Sequence, residues 1–156
     1  MTPNEWNSAV VVAARSWIGT PYRHQASRKG VGCDCLGLLR GVWRDLLGPE
    51  PEAPPPYTPD WAELTATEPL LEAASRWLIP TDDEVSGTVL VLRWSAGSAA
   101  KHCGIVSGGS RMIHAYSGHG TVESPLHGSW RRRIVGRFLF PLSSEARPLL
   151  QPSERP

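Results

Sequence analysis

Apolar side chains recur every three or four residues in the first half of the chain, and this is the spacing of amphipathic helices. One apolar stripe extends from Trp6 to Ile18, a second from Leu38 to Leu47, and a third lies at about residues 67–78. Glycine or proline follows each stripe, and both residues end helices. The pattern therefore predicts three helices.

Polar residues before the first two stripes fit helix N-termini. Thr2 and Glu5 have the spacing of a capping box, and Pro3 suits the first helical position. Asp34 can cap the second helix with its carboxylate. Cys35 then lies in the first turn of that helix.

After Pro80 the chain changes to short β-prone runs separated by glycine-rich turns, which is typical of strands. We predict strands at residues 88–94, 102–107, 111–116, 120–123 and 133–140. Helices followed by an antiparallel sheet define an α+β fold.

The length of 156 residues fits a single domain with one hydrophobic core. We assign this domain to residues 1–141, interrupted by a stiff, extended proline-rich insert at residues 48–60. The polar, proline-bearing residues 142–156 are expected to form a tail that lies along the surface or is disordered.

Charge and hydropathy narrow the classes of partner. A formal net charge of +1 does not favour nucleic acid or an anionic membrane as the target of the whole molecule. The apolar runs are too short to span a bilayer, and the N-terminus lacks the basic stretch and apolar core of a secretory signal. We expect no direct nucleic-acid binding, no membrane insertion, and synthesis in the cytoplasm without a signal peptide.

The three cysteines are expected to be free thiols, because an odd count without a signal peptide argues against a disulfide framework. Cys35 is the exceptional one, since unpaired amides and the helix dipole favour an anion in the first turn. A thiol pKa of about 8.5 can fall to about 3.5–7.5 in such a place. Cys33 and Cys103 are interpreted as small, inert buried residues.

Two histidines on consecutive predicted strands could serve such a thiolate. His102 and His114 flank a glycine-rich turn near residue 108, and directly opposed side chains would have Cβ atoms about 4.5–5.5 Å apart. A two-residue turn at Gly108 and Gly109 would put His114 on the other face, so the pairing requires a bulge or an odd loop. A thiol, a base and a group that orients the base make a nucleophilic catalyst.

A metal site is the competing interpretation of the same residues. Cys33, Cys35, His102 and His114 could supply four zinc ligands. Structural zinc cysteines are usually two to four residues apart on a knuckle, not one apart at the entrance to a helix. We therefore expect no metal and no cofactor.

A basic cluster follows the predicted fourth strand, at residues 130–133. It could contact phosphate, a glycan or a partner protein. An exposed, solvated strand edge is the favoured interpretation.

Four short motifs, in this order, resemble the NlpC/p60 family of murein peptidases, which reads roughly GTPY, DCSGL, HVGI and IHA. The resemblance extends from Trp17 to about Phe140, and residues 19–27 together with the proline-rich insert are more like the branch found in phage-tail and gene-transfer-agent clusters. The matching segments here are Gly19-Thr20-Pro21-Tyr22, Asp34-Cys35-Leu36-Gly37-Leu38, His102-Cys103-Gly104-Ile105 and Ile113-His114-Ala115.

The resemblance implies a papain-like fold with N-terminal helices packed on a C-terminal antiparallel sheet. It makes Cys35 the nucleophile and His102 the base, which His114 orients. Tyr22 matches a tyrosine thought to help bind the oxyanion or substrate. Its neighbour Arg23 and the residue before the nucleophile, Asp34, are expected beside it in the substrate cleft. Two departures, Leu36 for serine and Cys103 for an aliphatic residue, remove no catalytic group.

By resemblance, the protein is expected to be a cysteine endopeptidase that hydrolyses peptidoglycan stem peptides at the bond between D-glutamate and a diamino acid. Tail or baseplate proteins would hold it in a phage-like tail, where it would act in the periplasm or cell wall to aid DNA delivery. One alternative is a structural tail-tip or baseplate component with little or no hydrolysis. Another keeps the thiol chemistry but transfers an amide or ester acyl group.

Overall fold

The structure is a computed structural model that describes residues 1–52 and 68–142. Most of the predicted proline-rich insert, the predicted start of the third helix and nearly all of the predicted tail lie outside the described residues. The single-domain assignment over residues 1–141 therefore stays a prediction.

The described part contains helices and strands in the order expected for an α+β fold, and that prediction is confirmed. The helices are α1 (Pro3–Arg15), α2 (Cys35–Leu47), α3 (Pro69–Trp77) and α4 (Gly128–Arg131). The strands are β1 (Ser27–Arg28), β2 (Gly32–Cys33), β3 (Ile79–Pro80), β4 (Val89–Arg93), β5 (Ala100–Gly108), β6 (Arg111–Tyr116), β7 (Gly120–Pro125) and β8 (Ile134–Leu139).

Both predicted N-terminal caps are present. The Thr2 hydroxyl accepts a hydrogen bond from the Glu5 amide at 3.2 Å, and the Glu5 carboxylate accepts one from the Thr2 amide at 2.7 Å. At the start of α2, the Asp34 carboxylate accepts from the Gly37 amide at 2.7 Å. These bonds satisfy amides that the helices themselves leave unpaired, so α2 begins at Cys35.

Helices α1 and α2 approach closely at Gly41. A Cβ atom at this position would overlap the ring of Trp17, which is almost fully buried. The Trp17 indole nitrogen also donates to the Asp45 carboxylate at 3.1 Å. This contact fixes the position of α2, and with it the position of Cys35 at its N-terminus.

The main sheet has six antiparallel strands in the order β3-β8-β4-β5-β6-β7. Its five longer strands occupy the five predicted segments, with ends that differ by up to two residues. The two-residue strands β1 and β2 form a separate ribbon in the loop between α1 and α2, which the sequence pattern did not reveal.

Each face of the sheet carries its own apolar cluster. Odd-numbered residues of β5 and β6, such as Ile105 and Ile113, pack with the helices α1, α2 and α3. The opposite face holds Val106 and Met112, against which Trp130 of α4 packs. This alternation follows from the two-residue period of a strand, and it places His102 and His114 on the face covered by α4.

The prediction for residues 130–133 as an exposed strand edge is right for the exposure of Arg131 and Arg132 but wrong about the strand and about Trp130. Trp130 belongs to the short helix α4, and strand β8 begins only at Ile134. Trp130 is half-buried because its ring covers apolar and imidazole side chains of the sheet. Among the helices of the described segments, none is long and apolar enough to cross a membrane.

Candidate active site

Cys35 is the first residue of α2 and is half-buried. Its sulfur lies 3.5 Å from the carbonyl oxygen of Lys101 on β5, so the N-terminus of α2 meets the sheet at this residue. Gly37 permits this position, because a Cβ atom there would overlap the carbonyl oxygen of Ala26 in the preceding loop. The thiol therefore faces the sheet from the end of a helix that favours negative charge.

His102 and His114 form a buried hydrogen-bonded pair. The Nε2 atom of His102 lies 2.8 Å from the Nδ1 atom of His114. The remaining ring nitrogen of His114, Nε2, lies 2.9 Å from the hydroxyl oxygen of Ser124 on β7. A chain of hydrogen bonds thus leads from His102 through His114 to Ser124.

The predicted pairing of the two histidines is right in face and wrong in register. The ladder pairs Ile105 with Ile113, and continuing it by one step sets Gly104, not His102, opposite His114. The histidines are therefore diagonal neighbours on one face. A Cβ atom on Gly104 would come within 3.1 Å of the His114 Cβ, so the glycine leaves room for the imidazole.

The register shift that the sequence required is present in the β5–β6 hairpin. It lies between Val106 and Gly108, with Ser107 as the extra residue. The two-residue turn that follows has positive φ at Gly109 (59°) and Ser110 (55°), as a tight hairpin turn needs. Without this bulge, His114 would point to the other face of the sheet.

The environment of Cys35 lowers the pKa of its thiol to about 5. The largest cause is a hydrogen bond with the Cys103 thiol, and His102 adds a hydrogen bond and its positive charge. Burial and the Asp34 carboxylate act in the opposite direction. Of the three thiols, that of Cys35 is the one whose pKa is lowered, and a thiolate is the nucleophilic form of cysteine.

Cys103 is a small buried residue, as expected, and it also lies close enough to Cys35 to influence its pKa. Its hydrogen bond to Cys35, its burial and the negative charge of Cys35 raise its own pKa well above the ordinary value. The Cys103 thiol therefore stays protonated beside Cys35. The aliphatic residue expected at this position by family resemblance could not supply such a bond.

Burial keeps His114 neutral. Loss of hydration, followed by the charges of His102 and His119, lowers the pKa of His114 to about 3. His114 is fully buried, and its ring packs edge-on against Trp130 with the centroids 5.0 Å apart. A neutral His114 can orient His102 through their hydrogen bond without repelling a positive charge on His102.

Two tryptophans flank the His102 ring, and neither was singled out from the sequence as part of the site. The ring centroids of Trp94 and Trp130 lie 4.7 Å and 5.6 Å from that of His102. The two indole rings therefore hold the imidazole of His102 in place between them. Trp94 is partly exposed at the mouth of the site.

Cys35 and His102 share a cleft of about 270 Å³ with Tyr22. Burial, then the charges of Asp34, Cys35 and Cys33, raise the Tyr22 pKa to about 12. The phenol consequently stays protonated, and it can donate a hydrogen bond to a negatively charged oxygen. The described residues that line the cleft are Tyr22, His24, Asp34, Cys35, Leu36, Leu70, Trp94, Lys101, His102, Ala115, Tyr116 and Ser117.

The other two predicted substrate contacts, Asp34 and Arg23, lie in different settings. Asp34 borders the cleft, but its carboxylate oxygens accept backbone bonds from Gly37 at 2.7 Å and Gln25 at 2.8 Å. Arg23 is exposed, its side chain lies beside Gly32, and it is not one of the described residues that line the cleft. Substrate contacts by either side chain stay predictions.

Cys33 contacts Thr121, which is not one of the candidate zinc ligands. Its sulfur lies 3.2 Å from the Thr121 hydroxyl on β7, and burial is the main cause that raises its pKa. In the part of the chain that the structure describes, no group of three or more His, Cys, Asp or Glu side chains is arranged to hold a metal ion.

The His114 pKa predicts a pH-dependent stability. The ordinary pKa is 6.5 and the folded value is about 3, so the unfolded chain binds a proton that the folded protein excludes. The free energy of unfolding should therefore decrease as the pH falls from about 6.5 towards about 3. In urea titrations at pH 7 and pH 4, we expect the wild type to lose about 3 kcal/mol more than His114→Gln. Equal losses would show that His114 does not exclude the proton.

The fold defines a papain-like α+β class, in which a helix with a cysteine at its N-terminus packs on an antiparallel sheet. The model of the NlpC/P60 family matches residues 19–138, and the chain belongs to this family. The resemblance seen in the sequence is thereby confirmed at the level of the family. No curated protein matches the chain significantly.

Solved structures share this fold at low sequence identity. The NlpC/p60 domain of the peptidoglycan hydrolase SagA is 22% identical with a TM-score of 0.58, covering 85% of this chain and 97% of that one. An NlpC/P60 family protein from Bacillus cereus ATCC 10987 is 15% identical with a TM-score of 0.58, covering 84% of this chain and 39% of that one. NlpC1 from Trichomonas vaginalis is 16% identical with a TM-score of 0.57, covering 86% and 43%. The chain thus spans less than half the length of the last two proteins.

Proposed function

We propose that this protein is a cysteine endopeptidase that hydrolyses the stem peptides of peptidoglycan. The observation that carries the proposal is the shared cleft of Cys35 and His102, with the thiol pKa lowered to about 5 and His102 hydrogen-bonded to His114. A thiolate beside an oriented imidazole is the arrangement that nucleophilic acyl transfer requires.

In the first step, the Cys35 thiolate attacks the carbonyl carbon of the scissile amide and forms the C–S bond. The electron pair of the carbonyl moves to its oxygen, where the Tyr22 phenol and the Cys35 backbone amide donate hydrogen bonds. The His102 imidazolium then gives its proton to the departing amine as the C–N bond breaks. Donors that are in place before the charge develops lower the barrier without reorganisation.

In the second step, neutral His102 removes a proton from water, and the water oxygen attacks the thioester carbonyl. The C–S bond breaks, a carboxylic acid leaves, and the thiolate–imidazolium pair returns. His114 holds the Nε2 side of His102 throughout, at 2.8 Å. The Nδ1 side of the ring is consequently free to serve the thiol and the reacting atoms.

The substrate class rests on the family and on the chemistry of the cleft. The family match covers residues 19–138, and the fold neighbour SagA is a peptidoglycan hydrolase. Polar groups such as Lys101, Tyr22 and Tyr116 line the cleft beside Trp94, which suits a short peptide with charged ends. We assign the bond between D-glutamate and the diamino acid on family resemblance alone.

The biological setting is proposed on the sequence resemblance to the phage-tail branch. In this setting the enzyme is made in the cytoplasm, is held by tail or baseplate proteins, and opens the cell wall locally for DNA delivery. Purified tail-like particles from a producing culture should then contain the chain when their peptides are identified by mass spectrometry. If the particles lack the chain, the proposed phage-tail setting is wrong, but the peptidase proposal is unaffected.

Digestion of purified peptidoglycan tests the activity and names the bond. Wild-type protein, kept reduced, should release peptides with new ends at D-glutamate and the diamino acid, and Cys35→Ala should release none. Mass spectrometry of the soluble products identifies the ends. The variant Cys33→Ser is the matched control, because its hydroxyl can keep the bond to Thr121.

Labelling with iodoacetamide separates the ways in which the digestion can fail. If wild type releases nothing but Cys35 is alkylated rapidly near pH 6, the thiol site is intact and the substrate assignment is wrong. Amide and ester acyl donors would then be the next substrates to examine. If Cys35 does not react either, the structural tail component becomes the better description.

A further inference from the structure

A half-buried serine extends the histidine pair and is not part of the family motifs. Ser124 lies on β7, next to the strand that carries His114, and its hydroxyl oxygen is 2.9 Å from His114 Nε2. In this ladder Val122 is paired with His114, so Ser124 is the diagonal neighbour on the same face. Its hydroxyl thus reaches the end of the imidazole that points away from His102.

We propose that Ser124 is a positioning residue that selects the tautomer of His114 and so makes the thiolate–imidazolium pair of Cys35 and His102 possible. Its effect on catalysis rests on the proposed peptidase function. Its effect on the protonation of His114 does not, and this difference allows the two ideas to be tested separately.

A count of protons along the chain of hydrogen bonds leads to this assignment. When His102 is an imidazolium, both of its ring nitrogens carry a proton, and Nε2 donates to His114 Nδ1 across 2.8 Å. The acceptor Nδ1 must then be bare. A neutral imidazole has one N–H, so the proton of His114 lies on Nε2 and is donated to the Ser124 oxygen.

His114 cannot avoid this choice by becoming charged. It is fully buried and faces the cationic form of His102, and His119 adds a second histidine nearby. The aromatic groups against its ring, Tyr116 at 4.7 Å and Trp130 at 5.0 Å between centroids, offer no carboxylate to hold a second proton. His114 is therefore neutral in the working pH range, and its single proton must lie on one nitrogen or the other.

Removal of the Ser124 hydroxyl would leave a buried N–H without its acceptor, which costs free energy. The proton of His114 would then be found more often on Nδ1, where it faces His102. Two N–H groups would meet if His102 were charged, so the imidazolium would be disfavoured. The Cys35 thiolate would lose part of the charge that stabilises it, and its pKa would rise.

Nuclear magnetic resonance of the ring nitrogens tests the tautomer directly. Long-range ¹H–¹⁵N correlation distinguishes protonated from bare nitrogens, and the His114→Gln spectrum assigns the signals. We expect the Nε2–H form in wild type and a substantial fraction of the Nδ1–H form in Ser124→Ala. An Nδ1–H form in wild type would overturn the proposal, even if Ser124→Ala failed to fold.

The pH profile of Cys35 alkylation by iodoacetamide tests the consequence and needs no substrate. Peptide mapping separates Cys35 from Cys33 and Cys103. A single neutral hydrogen bond is worth about 1 kcal/mol, so the midpoint for Ser124→Ala should move upward by about one pH unit. Ser124→Thr should restore the wild-type midpoint. Ser8 is exposed on α1, so Ser8→Ala is the matched control and should leave the midpoint of the profile unchanged.

These outcomes distinguish the inference from the function. A Ser124→Ala profile that coincides with the wild-type profile would overturn the role of Ser124, whatever the digestion experiment shows. A shifted profile in a protein that releases no peptides would support the positioning role of Ser124 and contradict the proposed peptidase function. If both hold, kcat for peptide release should fall about twofold in Ser124→Ala at pH 6, because a one-unit rise from a pKa of about 5 halves the thiolate fraction, and it should recover in Ser124→Thr.

Discussion

Replacing Cys35 with serine is expected to lower kcat/KM for a peptidoglycan peptide by about 10⁴-fold or more, because loss of a catalytic nucleophile has effects of this size. The site stabilises a thiolate, with a pKa of about 5, through His102 and the Cys103 thiol. A serine hydroxyl does not ionise under these conditions, so the resting ion pair would be lost. Chromatography of a synthetic peptide with the D-glutamate–diamino acid bond measures the rate.

The controls for this prediction lie within the same structure. Cys33→Ser also exchanges a sulfur for an oxygen close to the cleft, and it should keep most of the activity. Circular dichroism and urea midpoints should agree among the three proteins. More than about one hundredth of the wild-type rate in Cys35→Ser would mean that another group carries the reaction.

Replacing His102 with alanine is expected to lower kcat/KM by about 10³- to 10⁴-fold, because the reaction loses its acid and its base. The change has a second effect on Cys35. Its thiol loses the hydrogen bond and the positive charge of His102, so its pKa rises, although the Cys103 hydrogen bond remains. Alkylation of Cys35 by iodoacetamide at pH 6 should slow accordingly.

His127→Ala is the matched control for the histidine. His127 is exposed before α4, and its side chain makes no capping hydrogen bond. This variant should keep both the activity and the alkylation profile of the wild type. An unchanged profile in His102→Ala would show that His102 does not form an ion pair with Cys35, and the mechanism above would be wrong.

The position of Cys35 could be predicted because it depends on local structure. The apolar period of α2 and the carboxylate of Asp34 lie within a few residues of the thiol, and they determine where the helix begins. Gly37, where the helix comes close to the Ala26 carbonyl, also belongs to the sequence motif that contains the cysteine. Local hydrogen bonds and side-chain periods can be inferred from a sequence, because all their members are near one another in the chain.

The histidine pair could be predicted only in part. Two histidines on consecutive strands indicated a shared face, and parity showed that a bulge was needed. The location of that bulge at Ser107 was not determined, so the opposed pairing of His102 and His114 was wrong by two positions. Register depends on contacts along the whole ladder and on turn geometry, and several registers fit one short sequence.

Local sequence patterns could not show that three further residues lie at the site: Cys103, Trp130 and Ser124. Each lies beside a group of the proposed site because of sheet order: β5 carries Cys103, α4 follows β7, and β7 pairs with β6. Trp130 was assigned to an exposed edge because the basic residues after it suggested solvent. Its ring instead covers His102, 28 positions earlier, and no periodicity links the two.

By itself, the sequence determined the α+β class and the helix that presents Cys35, and it indicated the thiol and the two imidazoles of the proposed site. Tertiary structure decided which nitrogen of each histidine faces which partner, which residues flank and orient them, and how far the thiol pKa falls. The physical reason is distance along the chain. Helix periods and caps are short-range, whereas the pKa and the hydrogen-bond order at the site depend on groups that only the folded sheet brings together.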